Sequence, residues 1–255
     1  MKLSSLYKNA RHLKRKYRHP YCAAVIVAAG TASRMGGVDK ILADLCGQPV
    51  LCRTLAAFEA CELIDEIVVV TRRELLEQVS ALCASFSRVR MVVCGGDTRV
   101  ASVCAGISAV SDGTKLIAVH DGARPLITPE IISATAAKAA KFAAAAPAVP
   151  VKDTIKVSSG GEVSQTPDRS SLFAVQTPQI FDADLLRAAL QNAQDKALAI
   201  TDDCSAVEAL GMRVMLTGGT DENIKITTPV DLELARLIWK EREACASDTA
   251  TTSTD

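Results

Sequence analysis

The chain has 255 residues, 49% of them hydrophobic and 23% charged, a balance that excludes wholesale disorder and fibrous repeats and suffices for one or two packed domains. Its 29 Lys and Arg offset 29 Asp and Glu, so no net field recruits nucleic acid, and a charged ligand has to be held by local charge. The longest apolar runs, 22–29 and 143–146, are far shorter than the roughly 20 residues of a membrane span. Neither nucleic acid nor membrane is expected as a partner.

Residues 1–20 hold Lys2, Lys8, Arg11, Lys14, Arg15, Lys16 and Arg18 and no acid, which leaves the rest net negative by seven. The segment lacks the apolar stretch of a secretory signal. A transit peptide or a nucleic-acid arm is one reading; the plainer one is a basic, flexible extension. From residue 21 onward, segments 22–28 (CAAVIVA), 66–70 (EIVVV), 89–93 and 115–119 (KLIAV) read as strands, and 49–60, 73–84, 100–110 and 129–146 as helices. Continuous rather than alternating apolar strands indicate a parallel sheet covered on both faces. The expected fold is therefore α/β: a Rossmann-like, open, mostly parallel sheet with helices on both faces.

The rhythm breaks after Pro147. A short strand is expected at 147–151. Two β-like segments, 154–157 and 162–166, flank Ser158-Ser159-Gly160-Gly161 and read as a hairpin, so residues of about 151–179 form a protruding β-arm. Helices resume at 182–192 and 202–210, a strand at 212–216, and a closing helix at 229–240. With no internal repeat and no clean linker, 21–244 reads as a single domain. The Ser/Thr/Ala/Asp-rich tail, 245–255, is expected to be disordered. Nine scattered cysteines without a CxxC pair resemble no zinc framework and indicate reduced thiols in a cytoplasmic setting.

The first strand runs directly into Ala28-Ala29-Gly30-Thr31-Ala32-Ser33-Arg34-Met35-Gly36-Gly37-Val38-Asp39-Lys40. In open α/β sheets ligands bind beyond the carboxyl ends of strands. Small residues there let backbone N–H groups approach an anion, and Arg34 and Lys40 add two cations on the same loop. Phosphoryl and nucleotidyl chemistry needs that combination. A Walker loop is excluded, because G-x-x-x-x-G-K-[ST] is absent. The dinucleotide fingerprint fails at its second and third glycines.

Seven further segments occur in order after this loop: Gly95-Gly96-Asp97-Thr98-Arg99 with Ser102; His120-Asp121-Gly122-Ala123-Arg124-Pro125; Pro150-Val151-Lys152-Asp153-Thr154-Ile155-Lys156; Asp168-Arg169; Gln176-Thr177-Pro178-Gln179; Thr201-Asp202; and Asn223-Ile224-Lys225-Ile226-Thr227. With the loop, they resemble the nucleotidyltransferases that join a nucleoside monophosphate to a sugar or polyol phosphate. Over about residues 22–240 the chain is most similar to the 2-C-methyl-D-erythritol 4-phosphate cytidylyltransferase family. The ribitol 5-phosphate cytidylyltransferases share the loop, the His-Asp turn and the Thr-Pro-Gln segment. The 151–156 and 168–172 stretches look more like the methylerythritol enzymes.

The resemblance implies an enzyme that condenses CTP with a polyol phosphate, with Mg²⁺ as cofactor. It implies that Ala28, Ala29, Gly30, Gly96, Asp97 and Ser102 bind the nucleotide, although Asp97 or Thr98 could also cap the helix that follows. Arg34, Lys40 and Lys225 become the catalytic cations. Asp121 becomes the Mg²⁺ ligand on the substrate side, with a turn-forming role as its plain alternative. Arg124 and Thr177 become substrate contacts, while His120 reads as structural. Thr154 and Arg169 lie on the arm and reach the polyol phosphate of a neighbouring protomer, which implies a homodimer with arm exchange and composite active sites. Lys225 should project from one face of an alternating segment while Ile224 and Ile226 pack on the other. The chain departs from the family pattern at Ala32, Ser33, Asp39 and Gly122. Asp39 stands where proline is common and is expected to neutralise Lys40 in part.

Overall fold

The structure, a computed structural model, describes residues 19–30 and 39–251. Arg34, most of the basic extension and residues 252–255 of the expected tail lie outside the described residues.

The centre of the sheet is formed by β1 (Cys22–Val27), β4 (Glu66–Thr71), β5 (Val89–Cys94) and β6 (Leu116–Asp121), all parallel, in the order β6-β1-β4-β5. A small hairpin, β2 (Asp44–Leu45) with β3 (Gln48–Pro49), lies between β1 and β4 in the chain. Among the described residues, the first two helices are α1 (Val50–Ala60) and α2 (Leu76–Cys83). They are followed by α3 (Arg99–Ser108) and α4 (Pro129–Phe142).

Because side chains alternate along a strand, β1 serves two cores. Cys22, Ala24 and Ile26 pack with Leu55 and Phe58 of α1, Val79 of α2 and Ile132 of α4. Ala23 and Val25 pack on the other face with Val103 and Ile107 of α3. This double burial is the physical reason the strand reads as an unbroken apolar run.

Sheet order and helix placement agree with the expected α/β class. The helix expected over 129–146 is shorter. It ends at Phe142, Ala143 turns the chain with φ 68°, and β7 (Ala144–Pro150) begins at once. Alanine favours helix intrinsically, but Ala144, Ala145 and Ala146 are completely buried between sheet neighbours, and that burial prevails. The neighbours are β11 (Gln179–Asp182), antiparallel to both β6 and β7, and β12 (Met215–Gly218), parallel to β7. Outward on β7, β10 (Phe173–Val175) pairs antiparallel with residues 148–150. Gln179 therefore opens a strand, where the sequence suggested only a turn.

The arm hairpin is present as β8 (Val157–Ser159) and β9 (Glu162–Gln165), linked by Gly160 and Gly161, both at positive φ. The remaining helices are α5 (Ala183–Asp195), α6 (Asp203–Glu208) and α7 (Pro229–Thr251). The last one continues well past Lys240, so the segment expected as a disordered tail is helical as far as Thr251. Arg242 anchors the extension by donating to Leu126 O at 3.0 Å and to Glu222 at 2.6 Å. Among the described residues, no helix is long and apolar enough to cross a membrane.

Candidate active site

The carboxyl ends of β1, β5 and β6 meet at one edge of the sheet. Backbone bonds draw their loops together: Ala28 N–H to Val70 O (2.7 Å), Gly122 N–H to Val27 O (2.8 Å) and Gly95 N–H to Thr71 O (2.8 Å). A cleft of about 330 Å³ opens there. Ala28, Ala29, Gly30 and Lys40 line one wall, Gly96, Asp97, Arg99 and Ser102 another, and Asp121 and Lys225 stand at the floor and side. Gly95 makes the approach of the loops possible: a Cβ there would lie 2.8 Å from that of Ala29 and 2.7 Å from Ser102 Oγ. The helix cap is Thr98, whose side chain accepts from Ala101 N–H, which leaves exposed Asp97 facing the cleft. Ser102 is buried and donates to Gly96 O at 3.1 Å, fixing the turn that bears Asp97.

Asp121 is the electrostatic centre. Lys225 Nζ lies 2.9 Å from it, Arg124 Nε 3.5 Å and Arg99 Nη1 3.9 Å. Burial alone would raise its pKa, but Lys225, Arg99 and Arg124 outweigh burial and hold it near about 2, so the carboxylate is ionised throughout the neutral range. Lys225 belongs to an extended segment that joins no ladder, yet its faces alternate as expected: Ile226 is fully buried and bonded to Ala123 O, while Lys225 is 42% exposed.

Beneath Asp121 runs a buried relay. His120 Nε2 faces Arg124 O at 3.2 Å, and a carbonyl can only accept, so this nitrogen carries the proton. Burial pushes the ring's pKa down to about 3, so His120 is neutral and its Nδ1 is an acceptor. The Thr177 hydroxyl, 3.0 Å away, therefore donates to Nδ1 and accepts Asp121 N–H at 3.1 Å. Thr177 is 4% exposed and lies under Asp121, not among the residues lining the cleft. His120 is structural, as expected, its ring packed against Phe58 in a tilted pair with centroids 4.8 Å apart. Asn223 ties this layer to Lys225: it donates to Thr177 O at 3.0 Å and to Gln176 at 3.2 Å, and its carbonyl accepts from Arg124 at 2.6 Å.

Thr154 and Arg169 are exposed on the arm and do not line this chain's own cleft. Arg169 donates instead to Lys152 O at 2.8 Å. The carboxylate of Asp39, expected beside Lys40, is engaged by Arg72, which also donates to Gly30 O at 3.1 Å. Sequence reasoning missed Arg72. It also missed Asp203, a buried acid 2.7 Å from Arg99 whose pKa burial raises to about 6 against the pull of that arginine. An acid directly after Asp202 was its only trace in the sequence.

Small-residue loops, converging cations and one ionised carboxylate at the carboxyl edge of a parallel sheet define an α/β nucleotidyltransferase site. The model of the family described as "IspD: 2-C-methyl-D-erythritol 4-phosphate cytidylyltransferase" matches residues 22–241. A relative of that name from Desulforamulus reducens is 44% identical over 224 residues, covering 86% of this chain and 96% of its own. Another, from Caldanaerobacter subterraneus, is 43% identical over 224 residues, 86% of this chain and 99% of its own. Among solved structures, 4-diphosphocytidyl-2C-methyl-D-erythritol synthase from Anaerococcus prevotii superimposes with a TM-score of 0.79 at 30% identity, covering 87% of this chain and 96% of its own. The Thermus thermophilus cytidylyltransferase does so with a TM-score of 0.71 at 31% identity, covering 85% and 98%. The chain belongs to the 2-C-methyl-D-erythritol 4-phosphate cytidylyltransferase family.

Proposed function

We propose that this cleft joins CTP to 2-C-methyl-D-erythritol 4-phosphate, giving 4-diphosphocytidyl-2-C-methyl-D-erythritol and pyrophosphate for isoprenoid biosynthesis. The observation that carries this reading is the convergence of Lys225, Arg99 and Arg124 on Asp121, with Lys40 lining the same cleft, in a family member. An oxygen of the substrate phosphate forms the new bond to the α-phosphorus of CTP. The bond from that phosphorus to the bridging oxygen breaks, and pyrophosphate leaves with the electron pair. The attacking oxygen is already anionic near neutral pH, so no general base is needed. The barrier is repulsion between two anions, which Lys40 and Lys225 offset, with Arg34 on the same loop as Lys40. Ala28, Ala29 and Gly30 present backbone to the triphosphate, and Gly96, Asp97 and Ser102 take the nucleoside. Arg124 serves the polyol phosphate side, and Thr177 supports Asp121 from below.

The residues present fit Mg²⁺. Among the described residues no group of three ligating side chains occurs, and a single ionised carboxylate such as Asp121 suits an ion that keeps waters and binds substrate phosphates. Asp121 would hold the ion, which when bound with CTP supplies further neutralisation of phosphate charge.

We read the protein as a cytoplasmic homodimer. Its nine free thiols suit a reducing compartment. Ile155, Val157, Val163, Phe173 and Val175 are each 39–59% exposed along the arm, an apolar face without cover in the single chain. Docked on a neighbour, that arm would bring Thr154 and Arg169 to the other protomer's polyol phosphate.

Coupled pyrophosphate detection tests the reading, with CTP, either 2-C-methyl-D-erythritol 4-phosphate or ribitol 5-phosphate, and with or without Mg²⁺. Release with the methylerythritol substrate that requires Mg²⁺ is expected. Lys40→Ala should lower turnover about 10²–10³-fold. Preference for ribitol 5-phosphate, or near-normal turnover in a folded Lys40→Ala variant, overturns it.

A further inference from the structure

Asp203 has no part in the reaction set out above, yet it is nearly buried and its Oδ2 lies 2.7 Å from Arg99 Nη2. Its place is fixed by its surroundings. Asp202, just before it, caps α6 by accepting Ser205 N–H at 2.9 Å. Gln179, at the start of β11, clamps the same turn by donating to Asp202 at 2.6 Å and accepting Cys204 N–H at 3.0 Å. The carboxylate is thus held by the sheet itself.

Arg99 opens α3, lines the cleft and is one-third exposed there. It stands between two acids. Nη2 is paired with Asp203, while Nη1 stops 3.9 Å from Asp121, beyond the roughly 2.8 Å of a made charge-assisted bond. Asp121 already has Lys225 at 2.9 Å. A guanidinium released from Asp203 has this second carboxylate within short reach, and closing on it would withdraw a cation from the cleft and occupy a carboxylate oxygen. Burying a charge without its partner is costly, so the Asp203–Arg99 pair must be kept or replaced by another.

We propose that Asp203 is a positioning residue for nucleotide binding: it holds Arg99 presented to the cleft and off Asp121. This rests on the reading that CTP occupies the cleft. A structural pair elsewhere in the fold would affect both substrates alike. Asp203 acts through one cation on the nucleotide wall, so its loss falls on CTP.

The test is calorimetric titration of CTP with Mg²⁺ and no polyol phosphate at pH 7.5, together with steady-state KM values for both substrates and a thermal melt of each variant. Asp203→Asn should weaken CTP binding about tenfold or more, the scale of a lost charged hydrogen bond. KM for the polyol phosphate should stay within about threefold, and Asp203→Glu should recover most of the loss. Arg99→Gln should show the same selectivity, and adding Asp203→Asn to it should cost little more, because residues acting as one unit are not additive. Unchanged CTP affinity in folded Asp203→Asn overturns the inference, as does an equal rise in both KM values or an additive double variant. If Asp203→Asn does not fold, Arg99→Gln decides, and normal CTP affinity in it is equally fatal. A parent chain that binds no CTP removes the functional reading and the inference together. A parent that binds CTP as its variants do removes the inference alone.

Discussion

Replacing Thr177 by valine keeps the shape of the side chain and deletes only its hydroxyl. In the structure that hydroxyl donates to His120 Nδ1 at 3.0 Å and accepts Asp121 N–H at 3.1 Å, in a fully buried layer. The substitution strands both groups, and a stranded buried polar group costs about 1–3 kcal/mol. The sum, about 2–6 kcal/mol, corresponds to a fall in Tm of about 4–24 °C in a chain of this size. The same loss frees the backbone that aims Asp121 into the cleft. A positioning loss of about 1.4–2.7 kcal/mol in the transition state is a 10–100-fold fall in kcat/KM. Differential scanning calorimetry and the pyrophosphate assay measure the two effects. Thr177→Ser should restore most of the activity. A melt within 1 °C of the parent (set against the roughly 4 °C minimum) refutes the relay. An unchanged melt with a raised KM for the polyol phosphate alone would instead make Thr177 a direct substrate contact.

Lys225→Met removes the cation 2.9 Å from Asp121; because Lys225 is 42% exposed, the melt should move little while turnover falls about 10²–10³-fold, read in the pyrophosphate assay. Gly106→Ala would set a Cβ 2.4 Å from Val25 Cγ1 and 2.8 Å from Val70 Cγ2, where α3 rests on the sheet, so urea unfolding should show a loss of about 1–3 kcal/mol. Val157→Asp with Val163→Asp on the exposed arm should give monomers by sedimentation velocity and reduced turnover at unchanged fold. Two buried groups oppose each other in acid. His120, held down at about 3, loses stability as pH falls below its unfolded value of 6.5, whereas Asp203, raised to about 6, gains stability as pH falls from 6 toward its unfolded 3.8. Asp203→Asn should therefore steepen the acid loss between pH 6 and 4 by up to about 1.4 kcal/mol per pH unit in urea titrations.

The central strands were legible because their causes are local. A strand buried on both faces must be apolar throughout. Lys225 could be placed by its alternating neighbours even though no ladder forms there. Ala144–Ala146 could not be placed, since alanine carries a helical preference and only its neighbours in the sheet decide otherwise. Asp203 was equally opaque: its meaning lies in Arg99, 104 residues away in the chain. Asp39 was incompletely read for the same reason, because Arg72, which engages its carboxylate, sits just past the end of another strand. The sequence reading thus named Lys40 and Lys225, which the structure gathers at one cleft, and missed Arg72 and Asp203, which pair with Asp39 and Arg99.

Arg72, which also pairs with Glu74 at 2.9 Å, joins two points of the main chain. One guanidinium holds Gly30 and Asp39, the residues at which the phosphate loop leaves and rejoins the body of the protein. The main chain on either side of residues 31–38 is thereby tied to one side chain just past β4, so losing Arg72 would release Gly30 and Asp39 together.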